Sequence, residues 1–356
     1  MAKVKIALVG LGAIGGSIGL ALRQAGSDAG TSRPASESPQ VEIIGHDKDP
    51  HASRQALKIG AVHKSDWNLI STCEGADLVI LAIPLLAIRD TLKAIAPYLR
   101  EDCVVTDTAT VKKPVLEWAE EILPKRVHFI GGDPIVATTE SGIAAAKANL
   151  FQGATWCLSP TIFAASEATQ LVTDIASFLG AKPYFVDPVE HDGLLAATDH
   201  LPLVLAATLL GAVSDSPALR EMSKLGGRNF AQVTLPATAE VETSRDICLL
   251  NRENIARWLK AMETALHEAQ AIISGGETGQ VQAFFERARE NRDKWLRGEE
   301  QDTPTADYQA LSSMGSLLFG RLPAISQRKA QSGGLRNGER KPSDRSGIGS
   351  FRSAKK

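Results

Sequence analysis

The chain opens on a short apolar, β-branched run, residues 4–9, that stops at Gly10. A mostly apolar run of this length, broken only by Lys5, reads as a strand buried in a parallel sheet. Residues 13–25 continue as a helix with a glycine-rich first turn. Residues 27–40 hold almost nothing that could enter a core, which predicts a surface insertion. A second strand, residues 41–45, ends at His46-Asp47. Further strands are predicted at 77–82, 103–106, 127–130, 155–158 and 183–186, with helices at 86–96, 111–121 and 163–179 between them. Strand and helix alternating through short connections predict an α/β domain with a largely parallel sheet.

The pattern changes at Asp187-Pro188-Val189-Glu190. Asp as N-cap, Pro at the first helical position and Glu in the first turn form a strong helix start. Beyond it no strand pattern recurs. Segments 188–213, 217–225, 239–274 and 278–297 carry apolar residues at three- and four-residue spacing. Within the first, residues 193–213 are apolar on nearly all sides, as in a helix enclosed in a bundle or a dimer core. The predicted division is therefore a sheet domain over 1–187, a helical domain over 188–325 and a disordered tail over 326–356.

Charge sharpens that division. The 356 residues carry a formal net charge of -2, yet the tail holds nine Lys and Arg against Glu339 and Asp344. The tail is thus a basic appendage on an acidic body, and it reads as a solvated terminus rather than a nucleic-acid arm. Cys73, Cys103, Cys157 and Cys248 share no CxxC spacing or metal-ligand cluster. Free thiols fit a reducing cytoplasm, and no metal is expected. The N-terminal apolar run is too short for a signal peptide, and no uninterrupted apolar run of about 18 residues predicts a membrane span.

Gly10-Leu11-Gly12-Ala13-Ile14-Gly15 is a GxGxxG turn between a strand and a helix. The first glycine makes the tight turn, the second admits a pyrophosphate to the backbone, and the third lets helix pack on strand. The phosphates would meet the unpaired N–H groups of the helix start. An acidic residue should follow about 20 positions on, at the end of the second strand. Asp47 lies 37 positions after Gly10, and discounting the 14-residue insertion leaves 23. Its carboxylate would accept from a ribose 2′-hydroxyl and repel a 2′-phosphate. NAD is therefore expected, with NADP as the alternative that His46 and Lys48 keep open. The domain is of the Rossmann type.

Four later stretches carry further chemistry: Asp107-Thr108-Ala109-Thr110-Val111-Lys112, Gly131-Gly132-Asp133-Pro134-Ile135, Asp199-His200-Leu201-Pro202 and Ser244-Arg245-Asp246 through Asn251. With the glycine turn, and in this order, the chain resembles the prephenate/arogenate dehydrogenase family of tyrosine biosynthesis over about residues 4–295. The resemblance implies a helical C-terminal domain that forms a homodimer, with the active site in the cleft between the domains. It implies hydride transfer from the ring carbon bearing the hydroxyl to NAD(P), coupled to loss of CO2 and aromatisation. It also implies roles for single residues. Thr110 keeps the hydroxyl and Lys112 the lysine of the family's Asp-x-Gly-Ser-x-Lys segment. Asp133 stands where the family's Gly-Gly-His-Pro has its catalytic histidine. His200 survives from Ser-His-Leu-Pro-His, while Leu203 replaces the last histidine. Arg228 is retained from Phe-Arg-Asp-x-x-Arg, and Gln232 stands at the arginine that holds a substrate carboxylate.

The catalytic candidates are thus Asp133, His200 and Thr110, with Asp133 or His200 as the base. Arg228, Gln232 and Lys112 are the substrate-binding candidates, and Gly10, Leu11, Gly12, Ala13, Ile14, Gly15 and Asp47 the cofactor-binding ones. Losing an arginine removes a charge-assisted, bidentate partner. Two alternatives therefore stand beside the dehydrogenase of prephenate or arogenate: an NAD-dependent dehydrogenase of another hydroxy acid, and a dinucleotide-binding protein without catalysis. Asp107 reads equally as a helix cap, His128 and His191 as structural, and Arg245–Asp246 as an intramolecular ion pair. Thr139 and Glu140 fall one position out of the family's register and stay outside the catalytic set.

Overall fold

The computed structural model describes residues 3–27, 40–136 and 140–301. Eight strands form one sheet: β1 (Lys3–Val9), β2 (Gln40–His46), β3 (Lys64–Ser65), β4 (Leu78–Leu81), β5 (Val104–Asp107), β6 (His128–Ile135), β7 (Thr155–Pro160) and β8 (Lys182–Phe185). Their order is β3-β2-β1-β4-β5-β6-β7-β8, parallel except for β6 against β7. Chain order reverses between β1 and β4, the point where open α/β sheets bind ligands beyond their strand ends.

Helices α1 (Ala13–Ser27), α2 (Pro50–Lys58) and α6 (Ser166–Phe178) cover one face, where Ile18, Ala56 and Val172 pack on Ile6, Leu8 and Ile80. Helices α3 (Leu69–Cys73), α4 (Leu85–Ile95) and α5 (Lys113–Ile122) cover the other. Local chemistry sets their starts: Asp49 caps α2 by accepting from His51 N, with Pro50 following, and Asn68 caps α3.

Asp187 caps α7 (Pro188–Leu195), accepting from Val189 N and Glu190 N as the sequence predicts. A π-helical turn, Ala196–His200, joins α7 to α8 (Leu201–Ser214). Then follow α9 (Leu219–Leu225), α10 (Arg228–Thr234), α11 (Val241–Leu250), α12 (Arg252–Gly275) and α13 (Thr278–Gln301). Ala196, Ile247 and Ile255 join the core on the α4–α5 face, which fixes the helices against the sheet.

Several expectations are revised. The strand predicted at 127–130 runs on to Ile135 and takes in the Gly131–Asp133 stretch. The segment 239–274 is two helices parted at Asn251. Helix α10 and the two-residue β3 were not predicted. The apolar helix α8 is not enclosed in a bundle within one chain, because only its Leu201 and Ala206 are buried. The helical run Pro188–Ser214 has a mean hydropathy of 1.5 in its most apolar window, enough by length and composition to cross a membrane. It is not an uninterrupted apolar run, because Asp192, Asp199 and His200 punctuate it. Asp192 and His200 turn inward to buried hydrogen bonds. The insertion's residues 28–39, Thr138, Thr139 and everything after 301, including the basic tail, lie outside the described residues.

Candidate active site

The glycine turn caps the carboxyl end of β1. Gly10 has φ +91°, and a Cβ there would press into the Ala82 backbone. A Cβ on Gly15 would fall on the Gly10 carbonyl, so close packing of helix on strand requires glycine. Gly12 is the opposite case: a Cβ would meet nothing within 4 Å, and the backbone faces open space. That space lies at the start of α1, whose first turn carries no acidic side chain. The turn therefore fits a dinucleotide pyrophosphate through Gly12 and the first N–H groups of α1.

Asp47 follows β2 and is half-buried. Its Oδ2 accepts from Leu11 N at 2.7 Å and its Oδ1 from Asp49 N at 2.8 Å. It ties the two strand ends together while remaining reachable from solvent.

At the end of β5, Asp107 is fully buried. Its Oδ1 accepts from Gly132 N at 3.0 Å, and its Oδ2 from Ala109 N at 3.0 Å and from the Lys112 ammonium. Lys112 is also fully buried, and its Nζ donates to the Gly132 carbonyl at 2.7 Å. This corrects the substrate-binding role expected of Lys112: its charge is enclosed and paired, and it clamps β5 to β6. The paired glycines follow from the same clamp. A Cβ on Gly132 would stand 2.6 Å from the Asp107 carbonyl, and one on Gly131 2.7 Å from Leu116.

Asp133 comes next on β6, 4% exposed. Its Oδ2 lies 3.3 Å from His191 Nε2, and His191 Nδ1 lies 3.0 Å from Asp192 Oδ1. Asp192 in turn accepts from Lys112 N at 2.6 Å and Lys113 N at 3.0 Å, at the start of α5. Burial pushes the Asp133 carboxyl above the usual carboxylate range, opposed by His191 and Lys112. Burial works against a charged His191, but the carboxylates of Asp133 and Asp192 outweigh it and raise it to about 11. The two groups titrate as a unit. His191, structural by the sequence, thus meets a candidate catalytic carboxylate.

His200 is fully buried, with Asn251 and Thr110 at hydrogen-bond distance and Asp199 Oδ2 farther off, 3.9 Å from Nε2. Asn251 Nδ2 lies 3.0 Å from its Nδ1, and Thr110 Oγ1 lies 3.4 Å from its Nε2. The amide orientation is set elsewhere: Nδ2 also donates to the Asp192 carbonyl at 2.8 Å, while Oδ1 accepts from Asn254. Nδ1 must then accept, and the proton sits on Nε2, facing Thr110. Burial lowers the imidazole to about 4, so it stays neutral. This corrects the reading of His200 as a base. With its lone pair held by Asn251, it is an Nε2–H donor that orients the Thr110 hydroxyl.

Arg228 and Gln232 sit exposed on α10 and make no hydrogen bond with this cluster among the described residues. Arg245 is bound to the buried Asp246 through Nε at 2.8 Å and Nη2 at 2.6 Å. Asp246 also accepts from Leu86 N at 3.3 Å, pinning α11 to the start of α4. The intramolecular ion pair expected there is present. His128 contacts Ala165 N and Asp102, which is a structural role. Cys73, Cys103, Cys157 and Cys248 are free thiols, and burial pushes the first two up to about 12.

A glycine turn at the sheet's switch point, with buried acid–base groups at neighbouring strand ends under a helical unit, defines a dinucleotide-dependent dehydrogenase. Two family models match the chain: the prephenate dehydrogenase nucleotide-binding domain over residues 35–185, and the prephenate dehydrogenase dimerization domain over 187–287. The chain belongs to the prephenate dehydrogenase family, whose members are NAD(P)-dependent oxidoreductases. It is 28% identical to a prephenate dehydrogenase of Bacillus subtilis over 295 residues, 82% of this chain and 76% of that one. A crystal structure of prephenate dehydrogenase from Aquifex aeolicus in complex with hydroxyphenyl propionate and NAD+ is 27% identical, with a TM-score of 0.71. It covers 82% of this chain and 98% of its own. Arogenate dehydrogenase of Synechocystis is 26% identical with a TM-score of 0.66, covering 82% and 100%.

Proposed function

We propose that the protein oxidises prephenate or arogenate, with NAD as hydride acceptor and Asp133 as the group that takes the substrate's hydroxyl proton. The observation that carries the reading is the Asp133 carboxylate, almost fully buried one residue past the Asp107–Gly132 clamp. There it keeps the place of the family's catalytic histidine and is itself paired with a histidine. The nicotinamide ring, when bound, supplies the hydride acceptor. Asp133 accepts the proton from the ring hydroxyl as the carbon–hydrogen bond gives up its electron pair. When the ring carboxylate leaves as CO2, its bonding pair aromatises the ring, and Asp133 returns the proton to the phenolate oxygen. Thr110, oriented by His200, donates to that oxygen or to the cofactor's amide. That Asp133 and Thr110 come from the sheet and its loops, and His191 and His200 from the helices that follow residue 187, supports a site between the sheet and the helical unit. We take the open apolar side of α8 as the seat of a second copy in a homodimer, in keeping with the matched dimerization domain, and the cytoplasm as its compartment, in keeping with the free thiols.

The test is growth of the reduced-nicotinamide band with purified protein, NAD and either substrate. Turnover with neither would overturn the reading. The alternative of another hydroxy acid draws on one observation: Lys112 is enclosed and Gln232 has no charge, so the family's grip on a carboxylate is weakened here. A panel of hydroxy acids in the same assay separates the two, and NAD binding without any turnover would mark a protein that has lost catalysis.

Cofactor choice is tested at Asp47. Asp47→Asn keeps the acceptor for Leu11 N and removes the charge that would repel a 2′-phosphate. We expect the preference for NAD over NADP, measured as a ratio of kcat/KM, to fall by about tenfold or more, since 1.4 kcal/mol is a factor of ten. An unchanged ratio would remove Asp47 from cofactor selection.

A further inference from the structure

We propose that His191, fixed by Asp192, is the positioning residue that shares one proton with Asp133 and thereby keeps that buried carboxylate available as an anion. The inference rests on Asp133 being the proton acceptor. Asp192 accepts two backbone N–H bonds at the start of α5, at 2.6 and 3.0 Å, one on each carboxyl oxygen, so both oxygens serve as acceptors. His191 Nδ1 at 3.0 Å must therefore carry a proton, and the ring presents Nε2 to Asp133 Oδ2 at 3.3 Å. Both facing atoms are buried and have no other hydrogen-bond partner. One proton in that gap satisfies both, either as a neutral carboxyl against a neutral ring or as a carboxylate against an imidazolium.

A buried carboxylate without a cation holds its proton. The Lys112 ammonium cannot supply that cation by contact, because Asp107 and the Gly132 carbonyl hold it. His191 supplies it. The remaining groups facing the pair are the Cys157 thiol from β7, the Asp107–Lys112 ion pair beside β6 and His200 at the end of the π-helical turn. Asp107 is neutralised by Lys112, and His200 stays neutral, so neither replaces the imidazolium. A base needs Asp133 ionised, and this state is lost as pH falls through the Asp133 titration. Without the imidazolium that titration moves up.

The test uses full-length His191→Gln with NAD and whichever substrate turns over. NAD affinity and KM should stay within about threefold. The acid limb of the kcat profile should move to higher pH by at least about one unit, a tenfold change in the proton equilibrium. Asp192→Asn provides a second arm, read by 15N-edited NMR without substrate. The wild type should show a downfield Nδ1–H on a charged His191 that persists above pH 8, and the variant should lose it. An unshifted acid limb in His191→Gln while Asp133→Asn is inactive overturns this proposal alone. So does a His191 ring that titrates near its ordinary 6.5 in the wild type. Full turnover by Asp133→Asn overturns the base assignment itself.

Discussion

Asp133→Asn is expected to lower kcat by about two to four orders of magnitude, the range that a positioned general base contributes. The change is close to isosteric, so Gly132 N still reaches Asp107 and β6 keeps its antiparallel register with Cys157. An amide oxygen can still accept from the His191 ring, but it cannot take a proton from a substrate hydroxyl. The substitution leaves the proposed cofactor residues, the turn after β1 and Asp47, untouched, so NAD affinity should stay within about threefold of the wild type, a change of well under 1 kcal/mol. Stopped-flow or steady-state kinetics across pH 5–10, beside a binding titration with NAD, check both halves. A kcat within tenfold of the wild type at every pH would show that another group takes the proton. His200 would not be that group, since its only lone pair faces Asn251.

What could be read before the structure was what the backbone encodes locally. Gly10 and Gly15 have in the geometry the close backbone contacts that require glycine, while at Gly12 the structure shows the open space a pyrophosphate would need. The cap at Asp187 is equally local, because donor and acceptor lie two and three residues apart. The acid–base cluster is different in kind. His191 meets Asp133 across 58 positions, and His200 meets Asn251 across 51, so no periodicity announces either pair. The signal available was weak: adjacent His191-Asp192 in the first turns of a helix that also bears His200. The same limit explains Lys112. Its motif position suggested a substrate cation, whereas the pairing with Asp107 five residues earlier depends on both side chains being enclosed by β6. β3 was missed because two residues are too short to establish a period.

Lys112→Met should therefore act on stability first. The substitution leaves Asp107 buried among backbone donors without its cation and the Gly132 carbonyl without a donor. Breaking one side of a buried ion pair costs about 3–5 kcal/mol, because the remaining charge is uncompensated. For a protein of this size each kcal/mol shifts Tm by roughly 2–4 °C, so a fall of about 6–20 °C is expected. At a temperature where the variant is folded, KM should change by less than about threefold, since the ammonium touches no solvent. The opposite result, an unchanged Tm with KM raised more than about tenfold, a loss of about 1.4 kcal/mol of binding, would restore Lys112 as the cation that grips the substrate. The double change Asp107→Asn with Lys112→Met separates charge from packing. It removes the stranded carboxylate while keeping an acceptor for Gly132 N, so it should recover part of the lost stability. Recovery would place the cost of Lys112→Met in the buried charge. A double variant as unstable as the sum of the two single ones would place it in the cavity left beneath β6.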